Sequence, residues 1–382
     1  MLFDLYLPGR VLFGPGSTYR LGEEARRYGN KVLLVTGRRS LKESGNFERV
    51  TMPFVTAKLE FALYDRVPPE PTLEAVEELR RYLREEKCDV VVAVGGGSVL
   101  DTVKAATGLF YEEGTVKEYF YGREITKPKF PWIAVPTTAG SGSEATTIAV
   151  LKDPEVPKKQ SLRHPFWLPD VAVVDPILTM SLPRELTARA GLDALTHAVE
   201  AYTCRFTNPF SDAVSREAVR LIVQNIYTAY TVPRNRDARE KMMQGSFLAG
   251  MAIQSAGVGA VHALAHVLGA RYDLPHGLAC GMLLPHVMAF NLPLVEDKYA
   301  QLAVTAGIVP PATPAPQAAE RFVGYVRLLT TKLGLPTRLR EVGVKEEDLP
   351  SIAEEALTAS SMARNPRRAS REDLLNLLRE AF

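Results

Sequence analysis

Asp193 and His197 stand four residues apart in Gly191-Leu192-Asp193-Ala194-Leu195-Thr196-His197-Ala198-Val199-Glu200, a spacing that puts both side chains on one face of a helix. Farther along, His262 and His266 repeat that spacing in Val261-His262-Ala263-Leu264-Ala265-His266, and His276 follows in the turn Leu274-Pro275-His276-Gly277. These segments contain four of the chain's six histidines, leaving His164 and His286 elsewhere. A lone histidine on a helix is usually a satisfied structural residue, but this concentration of imidazoles beside a carboxylate is the donor set that suits Fe²⁺, Zn²⁺ or a similar divalent ion. Spacing alone does not decide whether His262 or His266 is the ligand. An ion held there would polarise a substrate oxygen and make its carbon a better hydride acceptor.

Two small-residue loops offer a second kind of chemistry. Gly95-Gly96-Gly97-Ser98 follows a β-branched run directly and precedes the helical pattern Val99 to Ala105, so backbone amides and a helix dipole would be open to a diphosphate. Its spacing is neither Gly-x-Gly-x-x-Gly nor a P-loop, and a plain tight turn would read the same way. Pro136-Thr137-Thr138-Ala139-Gly140-Ser141-Gly142-Ser143-Glu144 also follows a strand-like run, which places both loops at the carboxyl end of one sheet, where open α/β folds bind ligands. Together the loops favour a nucleotide site.

The elements that must position these residues are legible in the same chain. Continuously apolar runs at Lys31–Gly37, Asp89–Gly95, Pro131–Pro136 and Asp170–Asp175 predict parallel strands covered on both faces. Pro71 to Lys87 reads as a crossover helix. From about Leu182 the β-branched runs stop, and helical patterns cover Arg184–Tyr202, Pro209–Tyr230 and Arg239–Gly269, with the Pro-rich Val309–Pro316 as a surface loop. The predicted organisation is an α/β dinucleotide-binding domain at 1–181 and an α-helical metal-binding domain at 182–382. At 382 residues and 46% hydrophobic, the chain can build two large cores, so disordered and fibrous classes are excluded. Forty-six basic against 44 acidic residues, scattered along the chain, argue against nucleic acid as a partner. No uninterrupted apolar stretch of about 18 residues argues for a membrane span. Three cysteines without Cys-x-x-Cys spacing exclude a disulfide framework and fit a reducing, cytoplasmic setting. The start of the chain, with an acid in its apolar stretch and no basic leader, is read as that of a complete cytoplasmic protein. Cys204 and Cys280 are close to the histidine motifs in sequence, which allows a place near the site, but they read first as small buried core residues, since free cysteine is usually buried.

Four ordered motifs make the chain resemble the iron-containing (group III) alcohol dehydrogenases through most of its length. They are Gly95-Gly96-Gly97-Ser98 with Asp101 and Lys104, the loop Pro136 to Glu144, Gly191-x-Asp193-Ala194-x-x-His197-x-x-Glu200, and His262 to His286. The resemblance implies an N-terminal nucleotide-binding α/β domain with a parallel sheet and an all-α C-terminal domain, a fold shared with dehydroquinate synthase. It implies Asp193, His197, His262 and His276 as metal ligands, with His266 behind them as the relay for the proton the alkoxide takes up. Gly96, Gly97, Ser98 and Asp101 would serve the diphosphate, Thr137, Thr138 and Ser141 the diphosphate and nicotinamide, and Lys159, or its neighbour Lys158, the ribose.

One departure bears on the cofactor. Many NAD-using members carry an Asp after the first strand that repels a 2′-phosphate, whereas this chain reads Val35-Thr36-Gly37-Arg38-Arg39-Ser40. Gly37 leaves room, and Arg38, Arg39 and Ser40 offer charge-assisted hydrogen bonds to that phosphate, so NADP(H) is expected ahead of NAD(H). The resulting expectation is a metal-dependent dehydrogenase, holding Fe²⁺ or Zn²⁺, that acts on a small alcohol or aldehyde as a homodimer or larger homo-oligomer. A glycerol-type polyol dehydrogenase is the alternative, followed by a dehydroquinate synthase-like lyase.

Overall fold

The computed structural model describes residues 2–156 and 158–382, which divide into two compact units, Tyr6–Leu182 and Pro183–Phe382, with the residues before Tyr6 grouped with the second. In the first unit the strands are β1 (Arg10–Phe13), β2 (Lys31–Gly37), β3 (Glu60–Val67), β4 (Val90–Gly95), β5 (Trp132–Pro136), β6 (Ile148–Asp153), β7 (Lys158–Arg163) and β8 (Val171–Val174). Six of them make one sheet in the order β1-β8-β5-β4-β2-β3, parallel throughout. The other two pair antiparallel as a separate hairpin.

Every residue of β4, β5 and β8 is buried, as their unbroken apolar runs require when helices cover both faces. Sequence patterning predicted neither the β6–β7 hairpin nor β1 and β3, and within the six-stranded sheet those last two are the edges. Edge strands have one unpaired side and tolerate charge, and Glu60, Asp65 and Arg66 interrupt β3 accordingly. The crossover helix α1 (Leu73–Glu86) starts where Thr72 accepts a hydrogen bond from the Ala75 amide, and it buries Val76, Leu79 and Leu83.

From β2 the chain turns outward to β3, but from β4 it turns the other way to β5, so the β2/β4 boundary is the topological switch point of the sheet. Ligands of open α/β sheets bind beyond the carboxyl ends of strands at that point. Here those ends carry Gly37-Arg38-Arg39-Ser40 and Gly95-Gly96-Gly97-Ser98, the latter opening α2 (Gly97–Gly108).

The second unit is helical: α3 (Arg184–Thr203), α4 (Pro209–Thr231), α5 (Arg236–Ala256), α6 (Ala260–Tyr272), α7 (His276–Thr305), α8 (Ala315–Lys332) and shorter helices after it. The single pattern read over Arg239–Gly269 is two helices, bent by 102° between α5 and α6. The break is at Gly257, whose φ of 90° lies in the left-handed region that a side chain disfavours. Sequence periodicity missed it because the apolar spacing continues on both sides of a three-residue turn. The expected Pro-rich loop joins α7 to α8 and is mostly exposed.

Close backbone approach sets α7 against α3. A Cβ on Gly277 would sit 2.3 Å from the Arg189 carbonyl oxygen, so only glycine lets the start of α7 come this near Asp193. Among the described residues α7 is the one single helix long and apolar enough to cross a membrane, and the bent pair α5 and α6 passes only when taken together; 67% of the most apolar window of α7 is buried inside this unit, the condition of a core helix.

Candidate metal centre and nucleotide-binding loops

In the helical unit, α3, α6 and the first turn of α7 bring Asp193, His197, His262, His266 and His276 into one cluster. Asp193 Oδ1 is 3.5 Å from His276 Nε2 and 3.9 Å from His197 Nε2. The His197 and His262 rings stack with centroids 4.7 Å apart, and the His276 ring lies 5.2 Å from His262. His266 stands 5.4 Å from His276 and 6.2 Å from His262 by ring centroid. Donor atoms of Asp193, His262, His276 and Cys280 all lie within 4.8 Å of one another.

The environment is dry at its base. Asp193, His197 and His262 are buried, while His276 and His266 are partly exposed. Asp193 Oδ1 and His262 Nε2 accept or donate no hydrogen bond. A buried carboxylate and a buried imidazole nitrogen left this way are expensive unless a cation is meant to face them.

Glu200 fixes the orientation of His262. The bend before α6 leaves its first amides without helical partners, and Glu200 accepts from the N–H groups of Gly259 (2.9 Å) and Val261 (2.7 Å). The same carboxylate lies 2.6 Å from His262 Nδ1. Because an ionised carboxylate only accepts, Nδ1 carries the proton and Nε2 presents its lone pair to the cluster. Burial lowers the basicity of His262, but the hydrogen bond and charge of Glu200 outweigh it, so the ring sits above the ordinary histidine range and is a strong donor. Asn365 completes the collar, accepting from the Ala260 amide at 3.3 Å and exchanging hydrogen bonds with Asn291.

The sequence motif contains Glu200 without assigning it a role, and its signal is an acid three residues after His197 in the buried half of α3. Cys280 is buried as expected, but its Sγ is 3.6 Å from His276 Nε2, within the cluster rather than in an ordinary apolar core. Its spacing of four residues from His276 was the signal there.

In the α/β unit the two small-residue loops meet. A Cβ on Gly97 would lie 2.9 Å from the Ser141 side chain, and one on Gly96 would lie 3.3 Å from Thr138. The Thr137 amide donates to the Gly95 carbonyl at 2.9 Å. Beneath this junction Asp101 accepts from Ser143 Oγ (2.6 Å) and the Val150 amide (3.0 Å), so its carboxylate anchors the second loop. Lys104 donates to Ser143 O and Oγ, Thr146 Oγ1 and Ile148 O at 2.7–3.0 Å. Burial pushes the Lys104 ammonium down to about 8 against the pull of Asp101 and Glu144, and burial pushes Glu144 up to about 7.

Other predicted contacts are placed as follows. Ser98 Oγ donates to the Pro69 carbonyl. Arg38, Arg39 and Ser40 are exposed, and neither arginine makes an ion pair among the described residues. Lys159 is paired with Glu70 at 2.6 Å, and Lys158 lies over the Tyr121 ring at 4.9 Å.

Comparison with known proteins agrees with both halves. Residues 8–176 match the family model described as iron-containing alcohol dehydrogenase, and residues 187–382 match the C-terminal model of the Fe-containing alcohol dehydrogenase family. The chain belongs to the iron-containing alcohol dehydrogenases. It is 39% identical to 1,3-propanediol dehydrogenase of Klebsiella pneumoniae, covering 100% of this chain and 99% of that protein. It is 35% identical to lactaldehyde reductase of Escherichia coli K12, covering 97% of each. A crystal structure of 1,3-propanediol oxidoreductase superposes with a TM-score of 0.96 at 39% identity, covering both chains completely. As an iron-containing alcohol dehydrogenase, the protein is an oxidoreductase whose family uses iron and NAD(H). The buried, unpartnered Asp193 Oδ1 and His262 Nε2 among further imidazoles fit such an ion.

Proposed function

We propose that this enzyme moves a hydride between NADP(H) and a small primary alcohol or its aldehyde, with NAD(H) as the second choice, in the cytoplasm and as a homo-oligomer. The observation that carries the metal-dependent part is the pair of buried donors, Asp193 Oδ1 and His262 Nε2, facing one point without hydrogen-bond partners. Asp193, His197, His262 and His276 would hold Fe²⁺, or Zn²⁺ in its place. When bound, the ion supplies Lewis acidity toward a substrate oxygen, and the nicotinamide supplies the hydride.

The chain's own residues do the rest. Glu200 keeps His262 in one tautomer and one orientation. His266, beside His276 and partly exposed, would pass a proton between substrate oxygen and solvent during reduction. Gly96, Gly97 and Ser98 head α2 with no bulky side chain before them, which suits a diphosphate, while Thr137, Thr138 and Ser141 border the same turn. Asp101 and Lys104 act by holding that border in place.

NADP(H) is favoured because Arg38 and Arg39 lie exposed at the switch point with no carboxylate partner among the described residues. Small substrates are favoured because the relatives named for 1,3-propanediol and lactaldehyde act on three-carbon compounds. The deciding experiment measures initial rates of aldehyde reduction with NADPH and with NADH, on enzyme stripped of metal and then reloaded with Fe²⁺ or Zn²⁺. Metal-dependent consumption of NADPH ahead of NADH is the expected result. Equal use of both cofactors would overturn the NADP(H) assignment, and undiminished turnover by the stripped enzyme would overturn the metal role.

A further inference from the structure

Of the three cysteines, two have ordinary surroundings. Cys88 is packed among the apolar side chains beneath the sheet, and Cys204 Sγ donates to the Ala256 carbonyl at 3.1 Å. Cys280 differs. It is fully buried, one helical turn after His276 on α7, and so on the same face. Its Sγ lies 3.6 Å from His276 Nε2 and within 4.8 Å of the donor atoms of Asp193 and His262.

The 3.6 Å between Cys280 Sγ and His276 Nε2 is what shared coordination produces. Metal–nitrogen bonds of about 2.0–2.1 Å and metal–sulfur bonds of about 2.3 Å at a tetrahedral angle put the two donor atoms roughly 3.5 Å apart. The Asp193 Oδ1 to His276 Nε2 distance of 3.5 Å fits the same angle. Asp193 Oδ1 and His262 Nε2, buried and without hydrogen bonds, independently mark the point on which the donors converge.

We propose that Cys280 Sγ is an additional donor to the ion that Asp193, His197, His262 and His276 would hold, adding sulfur to their oxygen and nitrogen donors. The proposal rests on the metal-dependent reading above and extends it to the identity of the ion. A thiolate donor favours borderline-soft ions, so the site would hold Zn²⁺ or Co²⁺ more tightly relative to Fe²⁺ than oxygen and nitrogen donors alone allow. An S–H···N hydrogen bond between Cys280 and His276 would give the same distance without any such preference.

The test is a titration of metal-stripped full-length enzyme with Co²⁺ under anaerobic conditions, followed by absorption. The visible d–d bands report that the ion is bound, and a near-ultraviolet sulfur-to-cobalt charge-transfer band reports the thiolate. Wild-type enzyme is expected to show both, with the charge-transfer band lost in Cys280→Ser while the d–d bands remain, and kept in Cys88→Ser and Cys204→Ser. The ratio of Zn²⁺ to Fe²⁺ affinity, measured by competition, should fall at least about tenfold in Cys280→Ser. Wild-type d–d bands without the charge-transfer band, or persistence of that band in Cys280→Ser, overturns the assignment of sulfur and leaves the metal site standing. Absence of all cobalt bands overturns the metal site itself, and the sulfur assignment with it.

Discussion

Glu200 Oε2 lies 2.6 Å from His262 Nδ1, and the same carboxylate receives the first free amides of the helix that carries His262. One side chain therefore sets both the path of α6 and the tautomer of its imidazole. In Glu200→Gln the amide retains an acceptor for one backbone N–H but turns a donor or a neutral oxygen toward Nδ1, which weakens the hold on the ring. Loss of such a carboxylate partner typically lowers metal affinity about 10- to 100-fold. Competition with a chromophoric zinc chelator should show that drop, and unchanged affinity would mean that Glu200 only caps the helix.

Arg38 and Arg39 stand beyond the carboxyl end of β2 at the switch point of the sheet. A phosphate hydrogen-bonded by a guanidinium contributes roughly 1.5–3 kcal/mol. The double substitution Arg38→Ala with Arg39→Ala should then raise KM for NADPH about 10- to 100-fold and leave KM for NADH within about twofold. Equal rises for both cofactors would show that the pair does not read the 2′-phosphate.

What the sequence made legible follows from which physical signals are local. The interior strands β2, β4, β5 and β8 announce themselves because both of their faces are covered, so nearly every residue is apolar. The edges β1 and β3 do not, since Val11 and Phe13 point outward and charges break the pattern of β3. Residue type and spacing singled out Asp193, His197, His262, His266 and His276 together, while the choice of His262 over His266 came only with the family resemblance. For Glu200 and Cys280 the spacing is present in the sequence, three residues after His197 and four after His276, but their roles are not, because each acts through a residue on another helix or through a donor atom's direction. The bend at Gly257 was hidden for a similar reason: it is set by one backbone angle inside an unbroken apolar pattern.

Lys104 is fully buried and donates to four oxygens, two on Ser143 in the loop that borders the glycine turn and one each on Thr146 and Ile148 just after it. Lys104→Met fills much of the same volume but leaves those acceptors, and the Asp101 carboxylate 3.6 Å away, without their cation. Removing one partner of a buried charged pair costs about 3–5 kcal/mol. The urea midpoint of Lys104→Met should fall accordingly, and the surviving folded enzyme should show a raised KM for the nucleotide with kcat much less affected, because the loop rather than the metal centre has loosened. A normal nucleotide KM would separate the loop's anchoring from cofactor binding.

His286, ten residues beyond the start of α7, is held down to about 4 by burial and by the positive charges of Arg327 and Arg338, and its Nδ1 has no hydrogen-bond partner. The unfolded chain binds a proton on this ring near pH 6.5, whereas the folded chain refuses it until about pH 4. Its contribution to stability is therefore complete above about pH 6.5 and declines as the pH falls from there toward 4. Replacing the ring with an uncharged amide in His286→Gln removes that proton uptake. Stability measured by urea unfolding of metal-stripped protein should fall less between pH 7.5 and pH 5 in His286→Gln than in wild type, by on the order of 1 kcal/mol. Metal-stripped protein is needed because ligand histidines release their ion over the same range. Identical pH dependence in the two proteins would mean that His286 is protonated in the folded state at pH 5, with water reaching the ring despite its burial.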